Sequence, residues 1–279
     1  MNLENIIKDA STLLRNNNII SHELDAQIIL SDIMGVKREY LFMNNEINIS
    51  LNIKKKYKAA IKRRIKNEPV AYIIGKKEFW SRNFIVDYST LIPRPESELL
   101  IYKLIHFFKA KSINILDIGT GSGCILLSLL KELYLSRGTG IDISSNAIQT
   151  AKLNSKKLGL CSRSKFKVID LNNLNFGKYD LIVSNPPYIA LKDIKNLTKD
   201  IINYEPLIAL KGGFDGLDLI KKVIYKSNYL LKSNGLLGIE IGTNQYIRVS
   251  HLLRKNGFRE VDKVKDYNDN VRCIITTKT

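Results

Sequence analysis

The sequence has little of what builds disulfide frameworks, metal centres and histidine chemistry. Its 279 residues include three cysteines (Cys124, Cys161, Cys273) and three histidines (His22, His106, His251). Thiols so few and so scattered fit neither a set of crosslinks nor a zinc site, so they read as reduced packing residues and no metal is expected. Long apolar runs are missing too. No stretch reaches 18 uninterrupted apolar residues, and Met1 to Asp9 has no basic segment followed by an apolar one. Neither a membrane span nor an export signal is expected, and the cytoplasm is the expected compartment. Acid is the scarcer charge, 27 Asp and Glu against 44 Lys and Arg, for a net +17. That balance invites a nucleic-acid partner, but the lysines are spread along a chain rich in Ile and Asn, which reads as a composition bias.

What is present divides into two textures. With 44% hydrophobic residues the chain can hold one large domain, or one of about 200 residues and a smaller one. Residues 1–75 read as helices only. Leu3, Ile6, Ile7, Ala10, Leu13 and Leu14 mark a first amphipathic helix. Ser21 can cap a second, carrying Leu24, Ile28, Ile29 and Ile33 inward until Gly35 ends it. A short helix over 38–43 and a basic one complete a small bundle. In the basic helix, Lys54 to Lys66 holds eight cationic residues and no acid, with Ile53, Tyr57, Ile61 and Ile65 as its apolar stripe. Its charges are either a solvated face or a docking surface for an anionic partner. His22 reads as a surface or cap-region residue.

From Glu68-Pro69 the texture changes. Lys77 to Val86, aromatic and β-branched around a polar centre, predicts a hairpin within a linker over 76–95. In Leu91-Ile-Pro-Arg-Pro-Glu-Ser-Glu98, two prolines bracket Arg94, and a helix starts at Ser97 or its neighbours. From there to residue 279, apolar runs at 113–118, 139–143, 166–169, 179–184 and 236–241 alternate with helical stretches at 125–133, 145–158 and 217–231. That pattern predicts an α/β domain with a parallel sheet, closed by a hairpin over 260–264 and 272–277. Ligands of such sheets bind beyond the carboxyl ends of the strands.

Four such ends carry polar signals. The first strand runs into Asp117-Ile-Gly-Thr-Gly-Ser-Gly123, where Gly119, Gly121 and Gly123, with Thr120 and Ser122, let the backbone turn tightly against a ligand before a helix. The second ends in Asp142, 25 residues after Asp117, where an acid can accept from both ribose hydroxyls. Asp170 and Leu171 end a third, suited to flank an adenine. With no lysine in the glycine loop to hold phosphates, this set describes a nucleoside ligand bearing none. The fourth signal is Ser184-Asn185-Pro186-Pro187-Tyr188, where a buried strand is halted by two prolines: an ordinary Asn-Pro turn, or an exposed loop that presents polar groups for chemistry.

Asp117 to Gly123, Asp142 and Asn185-Pro-Pro-Tyr188 resemble the signature of class I methyltransferases that act on planar amino or amide nitrogens. The wider pattern resembles the protein-(glutamine-N5) methyltransferases of peptide chain release factors. It comprises Glu68-Pro-Val-Ala-Tyr-Ile-Ile-Gly75, Phe79-Trp80, Leu91 to Glu96, the Asn-Pro-Pro-Tyr loop, Tyr204-Glu-Pro206, Leu210 to Leu217 and Glu240-Ile-Gly242, in that order. Leu171 departs from it, standing where relatives often place an aromatic.

The resemblance implies a Rossmann-like domain with a mostly parallel seven-stranded sheet whose last strand is antiparallel, behind a helical substrate-docking bundle. It implies S-adenosyl-L-methionine as cofactor and release factors as substrate, methylated at the glutamine of Gly-Gly-Gln in support of translation termination. The expected cofactor set is Gly119, Thr120, Gly121, Ser122, Gly123, Asp142, Asp170, Leu171 and Asn185. Asn185, Pro186 and Tyr188 are the expected catalytic residues, and Pro187 and Arg94 join them against the substrate. The Asn185 side-chain oxygen and the Pro186 carbonyl would accept the two amide hydrogens, directing the nitrogen lone pair at the sulfonium methyl, with Tyr188 flat against the amide. No general base or metal is called for, nucleic acid is not required, and a monomer is expected. The alternatives are N6-adenine or N2-guanine methylation of DNA or RNA, and a binding module that keeps the fold without activity.

Overall fold

The computed structural model describes residues 2–175, 177–266 and 268–278. They form two compact units, one of residues up to Lys76 with Thr198–Tyr204, the other of Lys77–Leu197 and Glu205 onward.

The first unit is helical. In α1 (Leu3–Asn16) the Asn2 side chain accepts from Asn5 N, and Leu3, Ile6, Ala10 and Leu14 are buried. In α2 (His22–Met34) Ser21 holds the N-cap position, but its hydroxyl donates to Asp25 and caps no backbone group. The inward face is Ala26, Ile29 and Leu30, and Leu24 is exposed. This departs from the expected stripe because Asp25 takes an inward place, where Arg64 Nε donates to it at 2.7 Å. Gly35, at φ 68°, ends the helix as expected. After α3 (Arg38–Met43), α4 (Leu51–Ile65) is capped by the Ser50 hydroxyl and buries Tyr57, Ala60 and Ile61; the Tyr57 phenol donates to Ala26 O at 3.0 Å. Two of the basic run's cations are consumed internally, Arg64 on Asp25 and Arg63 on buried Glu68. Lys55, Lys56, Lys58, Lys62 and Lys66 remain exposed. Next comes α5 (Val70–Ile74). His22 accepts or donates at Ser11 Oγ, 2.8 Å away, beside the start of α2.

The second unit opens on the hairpin of β1 (Lys76–Phe79) and β2 (Arg82–Ile85). Phe79 and Phe84 are buried edge to face in the sheet's own core, so the hairpin is part of the fold and more than a connector. Its two turn residues, Trp80 and Ser81, both have positive φ (51° and 54°), a geometry that usually selects Asn-Gly. Glu98 accepts from Trp80 N and Glu132 from the indole N–H, which offsets that conformational cost. Helix α6 (Pro95–Phe108) starts at Pro95, two residues ahead of Ser97, because proline's fixed φ suits the first helical position.

Then follow β3 (Asn114–Ile118), α7 (Cys124–Glu132), β4 (Arg137–Asp142), α8 (Ser145–Lys157), β5 (Ser164–Val168) and β6 (Tyr179–Ser184). Next is α9 (Lys199–Tyr204), which belongs to the helical unit, followed by α10 (Asp218–Leu230), β7 (Leu231–Glu240), α11 (Tyr246–Lys255), β8 (Phe258–Lys265) and β9 (Val271–Lys278).

The seven strands are ordered 5-4-3-6-7-9-8. Neighbours from β5 to β7 are parallel, and β9 runs antiparallel to both β7 and β8, as the resemblance implies. Successive side chains of a strand serve opposite faces. Ile115, Leu181 and Val183 therefore pack with Leu100, Leu104, Leu126 and Ile148 on one side, while Leu116, Ile182 and Leu237 meet Ile220, Val223 and Val249 on the other. Each such side chain contributes about 1.5–3 kcal/mol by leaving water. Both faces are covered, which is why the strands read as unbroken apolar runs. The chain order reverses between β3 and β6, and the crevice of an open parallel sheet lies at such a point. Among the described residues, no helix is long and apolar enough to cross a membrane.

Candidate active site

A cavity of about 450 Å³ lies at that crevice. The loop after β3 forms one wall. Gly119, Gly121 and Gly123 all have positive φ (72°, 53° and 79°), so a side chain at any of them would be strained. Gly119 N and Thr120 N both donate to Ile141 O at 2.9 Å, which ties the loop to the end of β4. Asp142 completes the tie: its two oxygens accept from Gly121 N at 3.0 Å and Ser144 N at 2.9 Å. A carboxylate has about four lone-pair directions, so two such bonds leave acceptor capacity toward the cavity.

Beneath the loop, buried Asp117 accepts from the Thr120 hydroxyl at 2.7 Å through Oδ2, while Oδ1 makes no hydrogen bond. Burial pushes its pKa up to about 7, offset in part by Thr120 and reinforced by the nearby Asp142 charge. Asp117 is 1% exposed and lies behind the cavity wall, where it braces the loop through Thr120. Asp170 and Leu171 both line the same cavity, and Asp170, largely exposed, accepts from Asn172 N at 2.8 Å to hold the turn that presents Leu171. The expected lack of lysine holds for the glycine loop only: Lys211 and Lys222 also line the cavity, brought from other elements.

The opposite wall comes from the end of β6 and the start of α6. Asn185 and Pro187 line the cavity with Arg94 and Ser97; Pro186 is buried and Tyr188 is turned away. Tyr188 was expected flat against the substrate amide. Instead its phenol accepts from Arg272 at 3.1 Å and its ring packs with the core beside α10, and burial, reinforced by Glu240, pushes its pKa up to about 12. It lines a second, open depression with Phe214, Asp215 and Arg248, shaped by Gln245, which bonds Tyr188 O and Gly216 O. Arg94 donates at 2.6 Å to Glu205, a buried carboxylate that also accepts from Ile92 N. The pair holds the guanidinium at the cavity wall. Asn185 Nδ2 donates to Ser97 Oγ at 3.2 Å, and Ser97 Oγ donates to fully buried Glu240 at the end of β7.

Sequence reasoning missed Ser97, Glu205 and Glu240 as parts of this wall. One signal was available: Glu240 is the lone charge in the apolar run Leu236 to Ile241. His106 and His251 lie on the surface of α6 and α11. No group of metal-ligating side chains occurs among the described residues.

Residues 5–75 match the family model described as PrmC N-terminal domain, and 95–214 the one described as methyltransferase small domain. The release factor glutamine methyltransferase of Buchnera aphidicola subsp. Schizaphis graminum is 41% identical over 91% of this chain and 92% of its own length. That of subsp. Acyrthosiphon pisum is 36% identical over 100% and 99%. The chain belongs to the release factor glutamine methyltransferase family. Among solved structures, the hMettl16 catalytic domain, in complex with an RNA hairpin, matches with a TM-score of 0.57 at 15% identity, covering 82% of this chain and 86% of that one. At that identity it speaks for the fold alone, so it lends no support to base methylation, whereas the family relatives match along the full length.

Proposed function

We propose that this enzyme transfers a methyl group from S-adenosyl-L-methionine to the side-chain amide nitrogen of the Gly-Gly-Gln glutamine in peptide chain release factors. The observation that carries the reading is the meeting, in one cavity, of a positive-φ glycine loop and Asp142 with Asn185 at the start of an Asn-Pro-Pro-Tyr loop, in a chain of this family.

The residues present fit the cofactor. Gly119 to Gly123 allow close backbone approach, Asp142 can accept from ribose hydroxyls, and Leu171 offers an apolar wall for a base. S-adenosylmethionine supplies an electrophilic methyl group on a positively charged sulfur. An amide nitrogen is a poor nucleophile because its lone pair is delocalised into the carbonyl. Asn185 Oδ1 and the Pro186 carbonyl, fixed by proline's restricted φ, accept the two amide hydrogens and favour the orientation that frees that lone pair. Arg94, held by Glu205, contacts the substrate near the cavity mouth, with Pro187 beside it. Because Tyr188 is turned away, its role is to anchor the loop through Arg272.

The helical unit, 1–75, serves substrate docking, with 96–279 as the catalytic domain. Nucleic acid is not required, the enzyme acts as a monomer, and it works in the cytoplasm, where release factors are made and used. Mass spectrometry of the Gly-Gly-Gln peptide of a release factor incubated with enzyme and cofactor tests the reading. One added methyl on the glutamine is expected; an unmodified peptide with label in RNA or DNA overturns it.

A further inference from the structure

Glu240 is fully buried at the end of β7, yet it takes no direct part in the proposed transfer. One of its oxygens, Oε2, accepts from Ser97; the other, Oε1, makes no hydrogen bond. The groups around it come from every neighbouring element: Arg272 and Cys273 on β9, Glu96 on α6, Tyr188 after β6, and Cys124 on α7. Arg272 bonds Thr243 and Tyr188 through its two terminal nitrogens and its buried Nε has no hydrogen-bond partner, so it favours the ionised carboxyl by charge without bonding it.

The direction of a hydrogen-bond chain is set by the member with the least choice. An ionised carboxylate can only accept. Ser97 must then donate its single O–H to Glu240, which leaves its oxygen to accept, and the part of Asn185 that can donate to it is Nδ2. The amide nitrogen thus faces inward, and Oδ1 is the end left for the cavity. We propose that Glu240 and Ser97 are positioning residues that set the polarity of Asn185, so that it meets the substrate amide as an acceptor.

A proton on Glu240 removes that constraint. The carboxyl group can then donate to Ser97, Ser97 can donate to the Asn185 oxygen, and the amide turns to present N–H groups to a substrate that also offers N–H groups. Burial, reinforced by the Glu96 charge and countered in part by Ser97, Arg272 and the Asn185 amide, raises the Glu240 pKa to about 7, so this reversal falls near neutral pH. Turnover declines as pH falls through that region. The inference rests on the proposed function for its kinetic readout and has a second readout that does not.

The kinetic experiment measures kcat and KM for S-adenosylmethionine against pH, with a release factor as substrate, in the wild type and in Ser97→Ala, Ser97→Thr and Glu240→Gln. Ser97→Ala is expected to lower kcat roughly tenfold with KM for the cofactor unchanged, and Ser97→Thr to restore it. The acidic limb of kcat should vanish in Glu240→Gln. An unaltered limb in that variant, or full turnover in Ser97→Ala, overturns the proposal. The second readout is the side-chain amide ¹H–¹⁵N signal of Asn185, assigned by its loss in Asn185→Asp. In the wild type it should shift near pH 7 and in Ser97→Ala it should not; a signal constant across that range overturns the inference. A release factor left unmethylated by the wild type would refute the proposed substrate, while the amide titration would still decide the role of Glu240.

Discussion

The two walls of the cavity are built in different ways. The glycine-loop wall is made of backbone: three residues with positive φ, two N–H groups on Ile141 O, and a carboxylate two hydrogen bonds deep in the turn that follows it. The Asn185 wall is made of side chains brought from far apart in sequence. Asn185 to Ser97 spans 88 residues, Arg94 to Glu205 111, and Ser97 to Glu240 143. A wall made by local conformation tolerates side-chain changes in other parts of the chain; one made of long-range bonds depends on all of them. On the proposed function, the first would hold the ligand and the second would aim the reaction.

Breaking each wall should therefore fail in its own way. The largest effect is expected from Asn185→Ala: turnover falls by ~10²-fold or more, as for loss of a positioning group, while calorimetry finds the cofactor bound as in the wild type. Near-normal turnover in that variant would erase the distinction between the walls. Next in size is Asp142→Ala, which removes the proposed ribose acceptor, its tie to Gly121 N in the loop and its bond to Ser144 N. Affinity for S-adenosylmethionine should drop by roughly 30-fold, equivalent to about 2 kcal/mol, and unchanged calorimetric affinity would count against that role.

The smallest effect contrasts the buried acid of each wall. Asp117 and Glu240 both have pKa values raised to about 7, from 3.8 and 4.5. Between those limits the folded chain holds more protons than the unfolded one. Its stability is therefore full below the ordinary carboxylate range and declines as pH rises toward 7. Thermal unfolding of the ligand-free protein across pH 4–7 should show that slope, reduced in part by Asp117→Asn and in part by Glu240→Gln.

The same difference governs what could be read in advance. Gly119 to Gly123 and Asp142 were legible because a tight turn after a strand is written in adjacent residues. Asn185 was legible because two prolines halt a buried strand. The parallel sheet followed from apolar runs, since both its faces are covered. Ser97 read as a helix start because its partners lie on β6 and β7, and nothing within ten residues of it hints at either. The place of Tyr188 off the cavity was hidden for the same reason: its phenol meets Arg272, 84 residues later. In the helical unit, Leu24 was assigned inward because Arg64, which draws Asp25 inside, was counted only as part of a charged run.

The position of β9 in the sheet has a consequence for how the molecule is made. This strand, the last along the chain, lies between β7 and β8, so β7 keeps one row of backbone donors and acceptors open until residues 271–278 have left the ribosome. Arg272, the cation nearest the charge network of Glu240 and Tyr188, arrives in that same stretch. A nascent chain truncated before residue 271 would carry both a bare β7 edge and a carboxyl group without its counter-charge, and would favour association with other chains over completing its own sheet.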